Sequence, residues 1–271
     1  MTDDTTTPGP LSSLDTNVPH SARLWNYWLG GKDNFAADRE VADQILAMVP
    51  EMVTSARADR EFLGRVVRHL IGAEGIRQFL DIGTGLPTAE NTHEVAQRAA
   101  PESRVVYVDN DPMVLAHARA LLASHPDGAT DYVDADLREP DEILDAAART
   151  LRFDQPIAVM MLGVLNFIPD DDQAAALVDR LVSAIPAGSF LAISHPTTEI
   201  NGAVMTEALR LWNEGPAAKM VLRSRAEIVP FFHGVQLLDP GVVTCSQWRP
   251  DPGTNQVSEP VAHYGGVGRK I

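Results

Sequence analysis

Three acids recur at comparable places in the middle of the chain: Asp81 in "FLDIGTG", Asp109 in "VVYVDNDP" and Asp136 in "YVDADLRE". Each closes a short run of β-branched and aromatic residues, and the first run turns directly into Gly83-Thr84-Gly85. Paired glycines after a strand let backbone approach a ligand closely. The dinucleotide fingerprint needs a third glycine, but the stretch reads Gly83-Thr84-Gly85-Leu86-Pro87-Thr88. No G-K-[ST] follows, so a Walker A loop is absent as well. Asp81 would repel a pyrophosphate and suits a positive amino group. Asp109 lies at the distance downstream where an acid grips ribose hydroxyls. Asp136 can accept from an adenine amino group while the Leu137 N–H donates to a ring nitrogen. One strand-end acid is an ordinary turn residue; three in order behind a glycine pair describe a nucleoside with a cationic tail.

The elements that must position these groups follow from periodicity. From Ile76 onward, strands expected at 78–82, 104–108, 130–133, 156–162 and 188–194 alternate with helices expected at 88–100, 112–124, 141–150 and 171–185. That alternation predicts βαβ units and a mainly parallel sheet with helices on both faces. The segments "GVQLLDPGVV" and "AHYGGVGRK" predict a C-terminal antiparallel hairpin. Ahead of the sheet come a short aromatic helix, a Gly30-Gly31 break, a helix from about Asp38 to Met48 and a helix from about Thr54 to Ile71. The chain therefore divides into a disordered polar tail (1–18), an N-terminal helical cap (19–75) and an α/β domain (76–271).

Composition sets the outer bounds. The 271 residues are 45% hydrophobic, enough for a sizeable core, and carry a formal charge of −15. Such charge repels phosphate backbones and anionic lipid, so neither a nucleic acid nor a membrane surface is an expected partner. The single cysteine, Cys245, excludes an internal disulfide and a multi-cysteine zinc cage. His and acid positions show no metal-ligand spacing, and no G-x-S-x-G elbow exists. The polar, acidic N-terminus is unlike a signal peptide, and no apolar run reaches the length of a membrane span, so a cytoplasmic protein is expected.

"LDIGTG", "VYVDNDP", "DADLRE" and "MMLGVLNFIPD" resemble motifs one to four of class I S-adenosylmethionine-dependent methyltransferases. From about residue 18 to the end, the chain is similar to an actinobacterial branch of that family. The likeness includes "SARLWNYWLGGKDNF", "GLPTAENTHEVAQ" and the ending "WRPD…HYGGVGRK". The resemblance implies a Rossmann-like, seven-stranded, mostly parallel sheet and S-adenosyl-L-methionine as cofactor, with a small-molecule methyl acceptor. Carried over, it implies that Gly83, Thr84 and Gly85 admit the methionine portion and that Asp81 holds its amino group. Asp109 takes the ribose, Asn110 flanks the adenine, Asp136 and Leu137 read its edge, and Leu162 and Gly163 offer backbone to the amine. Pro87 departs from the family's third glycine, though proline is compatible with a helix start.

The aromatic segment reads either as a docked helix or as a lid in which Arg23, Tyr27 and Gly30 complete the cofactor pocket. Arg23 would pair with the methionine carboxylate, and Gly30-Gly31 would act as a hinge. Three residues are weak catalytic candidates: His195 at the end of the fifth strand, Tyr27, and Asn166. Asn166 matches only the first position of an Asn/Asp-Pro-Pro-aromatic motif, so "LNFIP" reads as a strand end before a helix begun by Pro169-Asp170. His93 reads as a packing residue. Two other readings share these residues: a non-catalytic S-adenosylmethionine-binding protein, and a nicotinamide-dependent oxidoreductase, against which Asp81 and Pro87 argue.

Overall fold

The computed structural model describes residues 15–87, 90–121, 124–253 and 259–271, with only the backbone of 118–121. Five strands run parallel: β1 (Gln78–Ile82), β2 (Arg104–Asp109), β3 (Ala129–Asp134), β4 (Ala158–Leu162) and β5 (Phe190–Pro196). β8 (His263–Lys270) lies antiparallel against β5, and β6 (Val235–Leu237) lies antiparallel against β8. The order β3-β2-β1-β4-β5-β8-β6 contains the seven strands expected. An eighth, the two-residue β7 (Val243–Thr244), pairs with β8. The strand order reverses between β1 and β4, which is where a doubly wound sheet opens a crevice.

Alternation along each strand sends residues to two cores. Leu80, Ile82, Val106 and Val159 face the side covered by α6 (Pro140–Ala147) and α7 (Asp171–Ala184). Phe79, Val105, Tyr107 and Met160 face α3 (Met52–Gly72) and α4 (Thr92–Ala99). Both faces are covered, so β1 is buried at every residue, as parallel strands are. Period two then puts Asp81 on the α3/α4 side with Phe79.

Most helices fall where periodicity put them, with ends set by capping. α7 starts behind Asp170, whose carboxylate accepts from the Gln173 N–H at 2.8 Å. α4 begins later than expected, because Glu94 reaches back to the Asn91 N–H at 2.9 Å and fixes the start there. Residues 88 and 89 lie outside the described residues, as do 122 and 123 beyond α5 (Pro112–Leu121). So does the expected disordered tail up to residue 14; residues 15–18 form a turn.

α3 carries Phe62, Val66, Val67 and Leu70 fully buried against the sheet, so the third helix of the predicted cap is part of the sheet's core. α1 (Ser21–Trp28) and α2 (Ala36–Met48) form a separate apolar cluster with α8 (Gly202–Glu214), through Leu24, Trp28, Ile45, Met205 and Trp212. α8 was not among the expected elements. Among the described residues no helix is long and apolar enough to cross a membrane.

Candidate functional site

The carboxyl ends of β1 to β4 open into one cavity of about 320 Å³ roofed by α1 and α8. β1 contributes Asp81 and the turn Gly83-Thr84-Gly85; β2 contributes Asp109 and Asn110; β3 is followed by Asp136 and Leu137; β4 ends in Leu162 and Gly163. All of these strand-end residues were expected at a cofactor, and the structure brings them together.

The turn after β1 is held by its neighbours. Gly83 has φ +74°, and a Cβ there would stand 2.5 Å from Val164 Cγ2, so only glycine lets the two loops meet. The Gly83 N–H donates to the Val108 carbonyl at 2.8 Å, and the Thr84 hydroxyl to the Asp81 carbonyl at 3.0 Å. Asp109 accepts from the Gly85 N–H at 2.9 Å through Oδ2 and from the Asp111 N–H at 2.9 Å through Oδ1. Burial raises its carboxyl above the usual range, against the pull of those two donors. Asn110 donates to Asp136 Oδ2 at 3.1 Å, and Asp136 Oδ1 accepts from the Arg138 N–H at 2.8 Å.

Asp81 is 5% exposed. Burial pushes its carboxyl up to about 6, opposed by the Thr92 hydroxyl, which donates to Oδ2 at 2.5 Å, and by the nearby Arg60 guanidinium. The carboxyl therefore holds a proton more tightly than usual yet is mostly ionised at pH 7, the form an ammonium ion needs. Arg60 lines the same cavity from α3 and also donates to Asn91 Oδ1 at 3.0 Å. Its guanidinium acts on Asp81 from inside the cavity, where the sequence reading expected Arg23.

Arg23 lies elsewhere. α1 presents Ala22, Trp25 and Leu29 to the cavity, while Arg23 and Tyr27, four apart, share another face toward α2. Arg23 is 3% exposed, paired with Asp38 at 3.2 Å and bonded to the Val18 carbonyl; the Tyr27 hydroxyl donates to Asp43 at 2.9 Å. Gly30, φ +81°, closes the end of α1 through its N–H to the Tyr27 carbonyl. None of the three is among the described residues lining the cavity. Gly31 packs directly on the buried Asn26 side chain, where a Cβ would sit 2.3 Å away. Asn26 in turn accepts from the Asp33 N–H at 3.0 Å.

His195 is also away from the cavity. It is fully buried, with Nδ1 2.8 Å from the Pro196 carbonyl and Nε2 2.9 Å from Arg223 Nη1. The carbonyl fixes the proton on Nδ1 and the guanidinium occupies Nε2, so no nitrogen is left to take a substrate proton. Burial, with the Arg223 charge, lowers its pKa to about 3. Asn166 does line the cavity, 4% exposed, with Oδ1 lacking a hydrogen-bond partner among the described residues. His93 packs as expected, its ring on the Tyr107 hydroxyl at 2.9 Å.

Beyond the strand ends the cavity is apolar: Trp25, Trp28, Met52, Phe167, Met205 and Trp212 form most of its far wall. Ser55, Asp59 and His263 are polar residues set into it that sequence reasoning missed, as it missed Arg60 nearer the strand ends. Asp59 had one available signal, since it lies three and four residues before Phe62 and Leu63 and so falls on the buried stripe of α3.

The residues fit a nucleoside with an amino-acid tail, and comparison with known proteins agrees. A family model described as S-adenosyl methyltransferase matches residues 8–271. Among solved structures the chain is similar to a DUF574 family protein from Streptomyces avermitilis. The two share 44% identity over 95% of this chain and 99% of that one, with a TM-score of 0.90. A candidate methyltransferase from Thermobifida fusca is 39% identical over 94% of this chain and 96% of its own, with a TM-score of 0.86. No curated protein matches the chain. With the family model spanning nearly the whole sequence, the chain belongs to the S-adenosyl methyltransferase family and uses S-adenosylmethionine.

Proposed function

We propose that this protein transfers the methyl group of S-adenosylmethionine to a small molecule held in the apolar half of the cavity. One observation carries this reading: the polar ridge of strand ends and the apolar chamber under α1 and α8 form a single continuous space. An apolar space continuous with the strand ends is what a methyl acceptor placed beside the cofactor would need.

Bound S-adenosylmethionine supplies a sulfonium methyl, whose bond to the acceptor forms as the carbon–sulfur bond breaks and its electron pair passes to sulfur. The chain's own residues hold and align. Asp81 would take the ammonium, Arg60 the carboxylate, Asp109 the ribose hydroxyls, and Asp136 with the Leu137 N–H the adenine edge. The aromatic face of α1 would exclude water, and Asn166 Oδ1 offers an acceptor for a donor on either ligand. Alignment and desolvation can supply much of the acceleration for so electrophilic a methyl, so no dedicated base is required of the ridge.

Titration calorimetry with S-adenosylhomocysteine and with NAD tests the cofactor side. Saturable binding of S-adenosylhomocysteine without binding of NAD is expected, and the reverse would overturn the reading. The transfer itself is tested by incubating the protein with labelled cofactor and a pool of apolar small molecules. Label must appear in the pool, and its absence there in protein that binds S-adenosylhomocysteine favours a binding protein without turnover.

A further inference from the structure

Asp59, 7% exposed, is the carboxylate of the cavity that the strand-end ridge does not use. Its Oδ1 accepts only a weak hydrogen bond, from the Cys245 thiol at 3.7 Å, and lies 3.7 Å from Nε2 of His263. His263 is 3% exposed, and its Nε2 has no hydrogen-bond partner among the described residues. The other lining carboxylates are committed: Asp136 to Arg138 at 3.2 Å, Asp109 to two backbone donors, and Asp81 to the Thr92 hydroxyl. Arg60 is next to Asp59 in sequence, but successive helical residues face different ways. Its side chain bonds Asn91 and acts chiefly on Asp81, with a weaker charge interaction with Asp59, while Asp59 Oδ1 meets Cys245 and His263.

What surrounds Asp59 favours a positive charge. The His263 ring stands 5.9 Å from Trp25, and Trp25 stands 5.7 Å edge-on to Trp28. Aromatic faces attract cations, and a carboxylate in an apolar wall is stabilised by one. Burial lowers the pKa of His263 and raises that of the Cys245 thiol, so neither neighbour offers a competing full charge near neutral pH.

We propose that the chamber takes an apolar amine as its methyl acceptor, with the nitrogen seated at Asp59 and the body against Trp25, Trp28, Met205 and Trp212. This rests on the proposed function above. The amine enters as an ammonium ion. Asp59 accepts one proton: an N–H bond breaks, an O–H bond forms, and the electron pair stays on nitrogen as the nucleophile. A phenolate or carboxylate acceptor would meet Asp59 as a like charge.

The test uses three probes of one shape: 1-naphthylmethylamine, 1-naphthylmethanol and 1-naphthoic acid, each titrated calorimetrically at pH 7 into protein saturated with S-adenosylhomocysteine. The amine is expected to bind at least about tenfold more tightly than the alcohol, as a charge-assisted contact gives, and the acid not at all. Asp59→Asn should bring the amine to the level of the alcohol in protein that still binds S-adenosylhomocysteine. Binding of the acid, no preference for the amine, no binding of any probe, or a preference that survives Asp59→Asn overturns the proposal. If Asp59→Asn does not fold, the ranking in the unaltered protein decides alone. The first titration separates the two readings. Failure to bind S-adenosylhomocysteine contradicts the proposed function, whereas binding it without amine preference contradicts only the acceptor.

Discussion

The backbone N–H of Gly85 donates to Asp109 Oδ2 at 2.9 Å, tying the glycine turn after β1 to the carboxylate that ends β2. The acid proposed for the ribose thus also fixes the turn proposed for the methionine portion, so the two are structurally one unit.

Removing that carboxylate should cost both functions. Asp109→Ala is expected to weaken S-adenosylhomocysteine binding by roughly tenfold to a hundredfold for each charge-assisted hydrogen bond lost, about 1.5–3 kcal/mol apiece. Calorimetry on the folded variant reads this directly. Undiminished affinity would show that Asp109 does not meet the ribose.

Cofactor affinity should fall in mild acid through Asp81. Its carboxyl is raised to about 6 by burial, with Thr92, Arg60, Asp109 and Asp59 as the groups acting on it. The ammonium needs the charged form, so below pH 6 binding must expel a proton. Affinity then drops by up to about tenfold per pH unit. Titrations between pH 5 and 7 in buffers of different protonation enthalpy count that proton. Asp81→Asn should bind more weakly and lose this proton release; release persisting in the variant would assign it to another group.

The two candidate arginines should separate by readout. Arg60→Met is expected to weaken S-adenosylhomocysteine binding by roughly 1.5–3 kcal/mol, the scale of a lost hydrogen bond to a charged group. Arg23→Met instead removes the cation from buried Asp38, which keeps only the backbone N–H groups of His20 and Phe35 at 2.9 and 2.8 Å. That should lower stability by about 1.5–3 kcal/mol in denaturant titration, the scale of a lost charge-assisted hydrogen bond, with affinity of the folded protein unchanged. An affinity loss confined to Arg23→Met would restore the sequence-based assignment.

His195 should contribute to acid sensitivity without touching the cofactor. Its pKa falls from 6.5 to about 3 on folding, so between those values the unfolded chain binds the extra proton. Stability from this group is complete above pH 6.5 and is lost as pH falls toward 3, with a slope of about 1.4 kcal/mol per pH unit. Asp81 acts in the opposite sense, because its raised pKa makes the folded state the one that keeps a proton near pH 5. Urea unfolding of His195→Gln across pH 4.5–7 should therefore show a shallower acid loss than the unaltered protein. An identical slope would mean that His195 is not the group responsible.

The sequence by itself determined the sheet and the strand-end half of the site. Asp81, Asp109 and Asp136 sit at the ends of apolar runs, and local periodicity with glycine turns is enough to place a strand end at the crevice of a parallel sheet. Which face of a helix meets that crevice was decided only by tertiary structure. α1 docks with Trp25 and Leu29 inward and Arg23 toward Asp38, a rotation that depends on α2 and α8 as partners and leaves no mark in "SARLWNYW". The same holds for Asp59 and His263, which are far apart in sequence yet 3.7 Å apart in space, because β8 returns beside β5 under α3. Local sequence fixes periodicity and turns; the apolar half of the cavity is made of contacts between distant elements, and only the folded packing sets which side chains share it.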